Sequence, residues 1–137
     1  MSYIGRKIRD VMIPRDKLVT IPPDKKVVDA VKLMWENKVG SVLIVSGEKL
    51  LGIFTERDLL RLVATGVDLN KVIEEVMTRD PYTLRPDQPL SKAALLMSEK
   101  GVRHVPITDE EGNILGIISS RDISRVYSEA AEASLRE

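Results

Sequence analysis

The chain has 137 residues, with 21 Lys and Arg balanced by 21 Asp and Glu and a single histidine, His104. Because a 60-residue unit buries only about 60% of its surface, a chain of this length is expected to form one compact domain or two half-domains too small to be stable apart. Charge balance argues against a global field drawing the protein to nucleic acid, the absence of cysteine excludes a disulfide framework and thiolate metal ligation, and no apolar run approaches the roughly 20 residues of a bilayer span.

The opening Met1-Ser2-Tyr3-Ile4-Gly5-Arg6-Lys7 lacks the apolar core of a secretion signal, so the cytoplasm is the expected address. From there the chain states a pattern and then restates it. Val11-Met12 returns as Val76-Met77, and Thr20-Ile21-Pro22-Pro23-Asp24 as Thr83-Leu84-Arg85-Pro86-Asp87. Ala30-Val31-Lys32-Leu33-Met34 is matched by Ala93-Ala94-Leu95-Leu96-Met97. Gly52-Ile53-Phe54-Thr55-Glu56-Arg57-Asp58 is matched by Gly116-Ile117-Ile118-Ser119-Ser120-Arg121-Asp122. The spacing between partners drifts only by one or two residues, as loops allow.

In the first copy, Val27, Ala30, Val31 and Met34 fall at i, i+3, i+4 and i+7, which predicts one apolar helix face. Trp35 follows that stripe by one position and is expected in the core or at a subunit interface. A β-branched run, Val42-Leu43-Ile44-Val45, the polar turn Ser46–Lys49 and a second apolar run through Ile53-Phe54 predict a hairpin. A helix is expected over about 56–65, with Leu59, Leu60 and Val63 as its apolar positions. Gly66-Val67-Asp68-Leu69-Asn70 links the copies.

In the second copy, Leu90, Ala93, Ala94 and Met97 repeat the helical spacing, with Pro89 tolerable in the first turn. The hairpin follows as Val105-Pro106-Ile107-Thr108, the turn Asp109–Asn113 and the run through Ile117-Ile118. Pro106 cannot donate to a ladder and so suggests a sheet edge or a strand end facing a cleft. A last helix is expected over about 120–131, with Ile123, Val126 and Tyr127 apolar, and Ala130–Glu137 as a helical tail that frays or needs a partner. Each copy therefore reads strand, helix, strand, strand, helix, an α/β (α+β) chain divided into residues 1–69 and 70–137.

The strand-to-helix junctions carry the chemistry. Thr55 and Ser119 stand where an N-cap belongs, with Asp58 and Asp122 three residues on. One reading is a capping arrangement. The other uses the same geometry for a ligand: a helix N-terminus suits phosphate, and a carboxylate one turn in can accept two hydrogen bonds from a vicinal diol such as ribose. Both can hold together. Arg103-His104 enters the second hairpin and could bring a guanidinium and an imidazole to the same junction, or His104 is simply a strand-end residue. The first copy has Gly40-Ser41-Val42 at that place, with no cation, so the two sites are expected to differ.

Other chemistries find little support. One histidine and no cysteine leave no His/Cys metal cluster, and the phosphate-cradling glycine loops are absent. Phe54, Trp35 and three tyrosines are too few to make a base-stacking platform. Nucleophilic catalysis at Thr55 or Ser119 would need an activating base, a role open to His104 for one of them.

Taken together, Val-Met followed by Thr-Ile-Pro-Pro-Asp, the Ala-x-x-x-Met helix, Arg103-His104-Val105-Pro106-Ile107 and the two junctions resemble the cystathionine-β-synthase (CBS) domain family over nearly the whole chain. The resemblance implies a tandem, Bateman-type pair related by pseudo-two-fold symmetry and packed through its sheets. Its two clefts would take adenosine compounds such as AMP, ADP, ATP or S-adenosylmethionine. By family position, Asp58 with Thr55 and Asp122 with Ser119 would meet ribose or phosphate. The segment opening the opposite repeat would close each cleft and meet the base through backbone groups. That assigns Ile8 to Pro14, with Val11, Met12 and Ile13, to the cleft of Asp122, and Val76, Met77, Thr78, Arg79 and Asp80 to that of Asp58.

The reading that follows is a regulatory, ligand-sensing module and not an enzyme, with no cofactor required and an adenosine nucleotide as ligand. In the favoured second cleft, Asp122 would hold the ribose and Ser119 one phosphate. Arg103, His104 and Arg121 would take the remaining charge beside Val105 and Pro106. The first cleft, with Arg57 and Arg79 as cations beside Gly40, Ser41 and Val42, would bind more weakly, prefer a less charged adenosine compound, or stay empty. A homodimer is expected through apolar positions such as Leu62, Val63, Val126 and Tyr127, and a separate effector chain as the regulated partner. The rival reading is a protein-interaction or nucleic-acid scaffold without nucleotide response, which salt-sensitive binding would reveal.

Overall fold

The computed structural model describes residues 5–136. The readings placed on residues 1–4 and on Glu137 lie outside the described residues. In chain order the elements are β1 (Ile13–Pro14), β2 (Thr20–Ile21), α1 (Val27–Asn37), β3 (Ser41–Ser46), β4 (Lys49–Thr55), α2 (Glu56–Ala64), α3 (Ile73–Val76), β5 (Thr78–Arg79), α4 (Leu90–Lys100), β6 (His104–Thr108), β7 (Ile114–Ser119) and α5 (Ser120–Leu135). Single 3-10 turns cover Ile8–Asp10 and Arg15–Lys17.

Two compact units form. One is Leu18–Pro81 with Gly112–Ile114; the other joins the described residues up to Lys17 with Tyr82–Glu111 and those from Leu115 on. The units follow the order of the repeats but exchange their openings: residues up to Lys17 fold with the second copy, and residues 70–81 with the first.

In the first of these units the sheet runs β2-β3-β4-β5. β2 lies parallel to β3, while β3 and β4 form an antiparallel hairpin in which Ser46 pairs with Lys49. The turn is therefore Gly47-Glu48 alone, shorter than the four polar residues suggested, and Gly47 supplies the positive φ of +61° that a tight hairpin turn requires. The apolar stripe of α1 is buried at Val27, Ala30 and Met34 and packs with Val42, Ile44, Phe54, Leu62 and Ile73. Each fully buried Val, Leu, Ile or Phe among them contributes roughly 1.5–3 kcal/mol over leaving it in water.

Trp35 is not in this core; at 84% exposure it lies fully on the surface. One step past Met34 turns a side chain about 100° around the helix, off the buried face. A related correction concerns α2, where Leu60 and Val63 are exposed and Leu62 and Asp58 are the buried residues.

In the other unit β7 lies between β1 and β6. Leu90, Ala93 and Met97 of α4 pack with Val105, Ile107, Ile118, Ile123 and Val126, and with Ile8 and Val11 from the opening segment. Pro89 stands at the N-cap, with φ −67°, just ahead of the first helical residue. The helix α5 continues to Leu135, its last turns exposed.

The expected opening strand of the second copy is reduced to one parallel bridge, Leu84 with Ile107. The cause is Pro106. In the first copy the Leu43 N–H donates to the Val19 carbonyl at 3.1 Å and β2 forms beside it. Pro106 occupies the matching place and has no N–H, so only Leu84 N–H to the Pro106 carbonyl and Thr108 N–H to the Leu84 carbonyl remain.

Candidate functional site

Each unit builds the same local arrangement around a buried aspartate. In the Leu18–Pro81 unit, β4 ends at Thr55 and α2 begins at Glu56. The Thr55 N–H donates to Asp58 Oδ2 at 2.9 Å and the Thr55 hydroxyl to the same oxygen at 3.1 Å, while the Asp58 N–H donates back to Thr55 Oγ1 at 3.3 Å. This is a capping box closed by Asp, which satisfies orphan donors and places a negative charge at the positive end of the helix dipole. The Glu56 N–H donates to the Gly40 carbonyl, and the buried Ser41 pairs across the hairpin with Thr55. These bonds hold the entrance of β3 against the first turn of α2.

The segment 70–80 then crosses this junction. Val27 and Val28 N–H groups donate to Lys71 and Leu69 carbonyls, and the Ile73 N–H to the Lys25 carbonyl, so α3 is tied to the start of α1. β5 pairs antiparallel with β4, Thr78 facing Ile53 and Arg79 facing Gly52. Thr78 Oγ1 reaches Asp58 Oδ1 at 3.1 Å, and the Arg61 guanidinium lies 3.5 Å from that oxygen while donating to the Val76 carbonyl. Arg79 donates to the Glu74 carbonyl and lies 3.8 Å from the Glu74 carboxylate. Met77 and Val42 are buried, Val76 is half-buried, and Arg57, Thr78, Arg79 and Asp80 are exposed.

The other unit repeats the plan with different side chains. Ser119 N–H and hydroxyl donate to Asp122 Oδ2 at 2.8 and 3.0 Å, and the Asp122 N–H returns to Ser119 Oγ at 3.3 Å. Arg125 lies 3.7 Å from Asp122 Oδ1. The Ser120 N–H donates to the Arg103 carbonyl, so Arg103 and His104 enter β6 against the first turn of α5, beside Arg121. Arg103 and Arg121 are exposed and His104 is half-buried, whereas Val105 and Pro106 are buried.

The opening segment crosses this junction in turn. Ile8 and Arg9 N–H groups donate to Gln88 and Pro86 carbonyls, and the Leu90 N–H to the Arg6 carbonyl. β1 pairs antiparallel with β7, Ile13 facing Ile117 and Pro14 facing Gly116. Ile8 and Val11 turn their side chains into the core, so only their backbone can face a ligand; Met12 and Ile13 are half-buried and Pro14 exposed.

Within each unit the structure thus brings the junction hydroxyl, the aspartate, the hairpin entrance and the crossing segment together. The role of two glycines escaped sequence reasoning. Gly52 and Gly116 leave room for the crossing strands: a Cβ on Gly52 would stand 2.7 Å from the Thr78 carbonyl oxygen, and one on Gly116 2.6 Å from that of Ile13. Thr78, which the family resemblance assigned to this cleft through its backbone, meets Asp58 through its side-chain hydroxyl as well. Among the described residues no group of three or more His, Cys, Asp or Glu is placed to hold a metal ion, and no helix is long and apolar enough to cross a membrane.

Comparison with known proteins places this arrangement. The chain is 32% identical over 123 residues to a homoserine O-acetyltransferase of Methanohalobium evestigatum, a match covering 89% of this chain but 24% of that protein. It is 34% identical over 117 residues to uncharacterized protein MK0525 of Methanopyrus kandleri, covering 83% of this chain and 60% of that one. The chain therefore spans less than two thirds of either relative.

Two solved structures resemble it along most of both chains. CBSX2 in complex with AMP has a TM-score of 0.79 at 27% identity, covering 97% of this chain and all of that one. The CBS domain pair of protein MJ0100, in complex with 5-methylthioadenosine and S-adenosyl-L-methionine, has a TM-score of 0.81 at 29% identity, covering 90% and 97%. The model of the CBS domain matches twice, over residues 8–65 and 73–129. The chain belongs to the CBS domain family, as a tandem pair of its repeats.

Proposed function

We propose that this protein is a regulatory module that binds adenosine nucleotides at the Asp122 and Asp58 junctions and is not itself an enzyme. One observation carries the reading. Each aspartate is about nine-tenths buried, with 9% of Asp58 and 8% of Asp122 exposed, yet its cap consumes a single carboxylate oxygen, Oδ2. A carboxylate fixed in this way, at the N-terminus of a helix and beside a crossing backbone segment, is suited to accept hydrogen bonds from a ribose diol. That two related CBS pairs hold AMP, or 5-methylthioadenosine and S-adenosyl-L-methionine, supports the same class of ligand here.

In this reading Asp122 receives the ribose hydroxyls, Ser119 and the start of α5 meet one phosphate, and Arg103, His104 and Arg121 balance the remaining charge. The Asp58 site has Arg57 and Arg79 for that task, and Arg79 is already held by Glu74. The Asp122 site is therefore the stronger for a charged nucleotide. The base meets backbone groups of residues 8–14 or 76–80. The regulated partner is a separate protein, and the cytoplasm is the proposed setting.

Thermal unfolding against AMP, ADP, ATP, S-adenosylmethionine and GTP tests this. Selective stabilisation by adenosine compounds, rising with concentration as mass action requires, is the expected result. No shift from any of them at millimolar concentration would contradict the reading.

A further inference from the structure

The nucleotide reading treats the two aspartates alike, but their surroundings differ at one oxygen, and the inference here rests on that reading. A carboxylate offers about four acceptor positions. Asp122 spends two, both on Oδ2, in bonds from the Ser119 N–H and hydroxyl; at Oδ1 its contact is the more distant Arg125 guanidinium. Asp58 spends the same two through Thr55 and a third on Oδ1, where the Thr78 hydroxyl sits at 3.1 Å. A diol donating through both hydroxyls needs two positions. Asp122 offers them as it stands, whereas Asp58 offers them once Thr78 lets go.

The origin of the difference is one residue in each crossing strand. Thr78 faces Ile53 in β5, and Ile13 faces Ile117 at the matching register in β1. Isoleucine has no donor to give. We propose that Thr78 is a specificity-determining residue, whose hydroxyl competes with a ribose diol for Asp58 and makes that site the weaker of the two. Thr78 is exposed, so its hydroxyl can turn to water when a ligand arrives. The competition therefore lowers affinity without closing the site. Exchange of one ordinary hydrogen bond corresponds to a factor of about three to ten.

Calorimetric titration with AMP, in the D122A background that isolates the Asp58 site, reads this directly. Thr78→Val keeps the β-branched shape that suits β5 and removes the hydroxyl; it is expected to tighten AMP binding about three- to tenfold. Thr78→Ser, which keeps the hydroxyl, is expected to match the Thr78 protein. The reciprocal change, Ile13→Thr in a D58A background, is expected to weaken AMP at the Asp122 site, and it decides the matter should T78V fail to fold. Unchanged or weaker AMP binding in T78V, or unchanged binding in I13T, would overturn the role of Thr78. So would an Asp58 site that stays silent with and without T78V while the Asp122 site binds. Absence of AMP binding by the unaltered protein would overturn the nucleotide reading itself, and this inference with it.

Discussion

Two glycines set how closely the crossing strands approach the junctions. A Cβ at Gly116 would lie 2.6 Å from the Ile13 carbonyl oxygen and 2.8 Å from Met12 Sδ, and Gly52 faces Thr78 and Met77 in the same way. The thioether can swing aside, but the carbonyl belongs to the backbone of β1 and moves only if the β1–β7 pairing shifts. Gly116→Ala should therefore cost about 1–3 kcal/mol of stability, the range for an overpacked interior, measurable by urea unfolding. Stability within about 0.5 kcal/mol of the parent, the usual range for surface changes, would mean that β1 is not held as described. Both glycines were visible in sequence as the first residue of each junction motif. Their reason was not, because it depends on a strand about 26 positions away in one case and about 103 in the other.

At the scale of elements, periodicity located the long helices and hairpins because burial is what periodicity encodes. The stripes of α1 and α4 were legible at Val27, Ala30 and Met34 and at Leu90, Ala93 and Met97. It failed where one apolar residue adjoins another. In α2 the buried position is Leu62 at 1% exposure, while Val63 is 61% exposed; in α5 Val126 is buried and Tyr127 is 49% exposed. Leu62 and Val126 are thus part of each unit's own core and cannot pack across a subunit interface, which corrects that part of the dimer expectation. Val63 and Tyr127 remain, joined by Leu60 and Trp35. Homodimerisation through these exposed side chains is the proposal that stands. Light scattering at micromolar concentration should give twice the 15.3 kDa chain mass, and Val63→Glu should reduce it. A monomer mass for the unaltered protein would contradict the proposal.

The short strands were the least legible elements. β1, β5 and the single bridge at Leu84 span too few residues for alternation to show, and each exists because a partner strand offers free backbone groups. Pro106 was read as a sign of a sheet edge or a strand end facing a cleft, and β6 is an edge strand of its sheet; its further effect fell on its neighbour, for the second copy lost its opening strand. The matching Leu43 keeps that hydrogen bond, and the first copy keeps β2.

Across the whole molecule, the repeat made the fold legible, since matching blocks under one pattern leave few architectures. The junction aspartates and hydroxyls were legible for the same reason. The exchange of opening segments, by which residues 70–81 complete the unit around Asp58 and residues up to Lys17 the one around Asp122, was implied by the family resemblance and not by periodicity or spacing. Neither site is finished by its own repeat alone. A ligand held at these crossings would therefore touch chain from both copies, which is a physical basis for sensing, provided that affinity differs between two states of the protein.

A buried junction carboxylate that recognises a ribose diol should distinguish AMP from 2′,3′-dideoxy-AMP, and calorimetric titration with the two nucleotides measures that difference. Hydrogen bonds to a charged acceptor are worth about 1.5–3 kcal/mol, so loss of the diol should weaken binding roughly 10- to 150-fold. Asp122→Ala should weaken AMP at that site by a similar factor and leave it little able to tell the two nucleotides apart. Equal affinity of the unaltered protein for AMP and its dideoxy analogue would mean that neither aspartate reads the ribose diol.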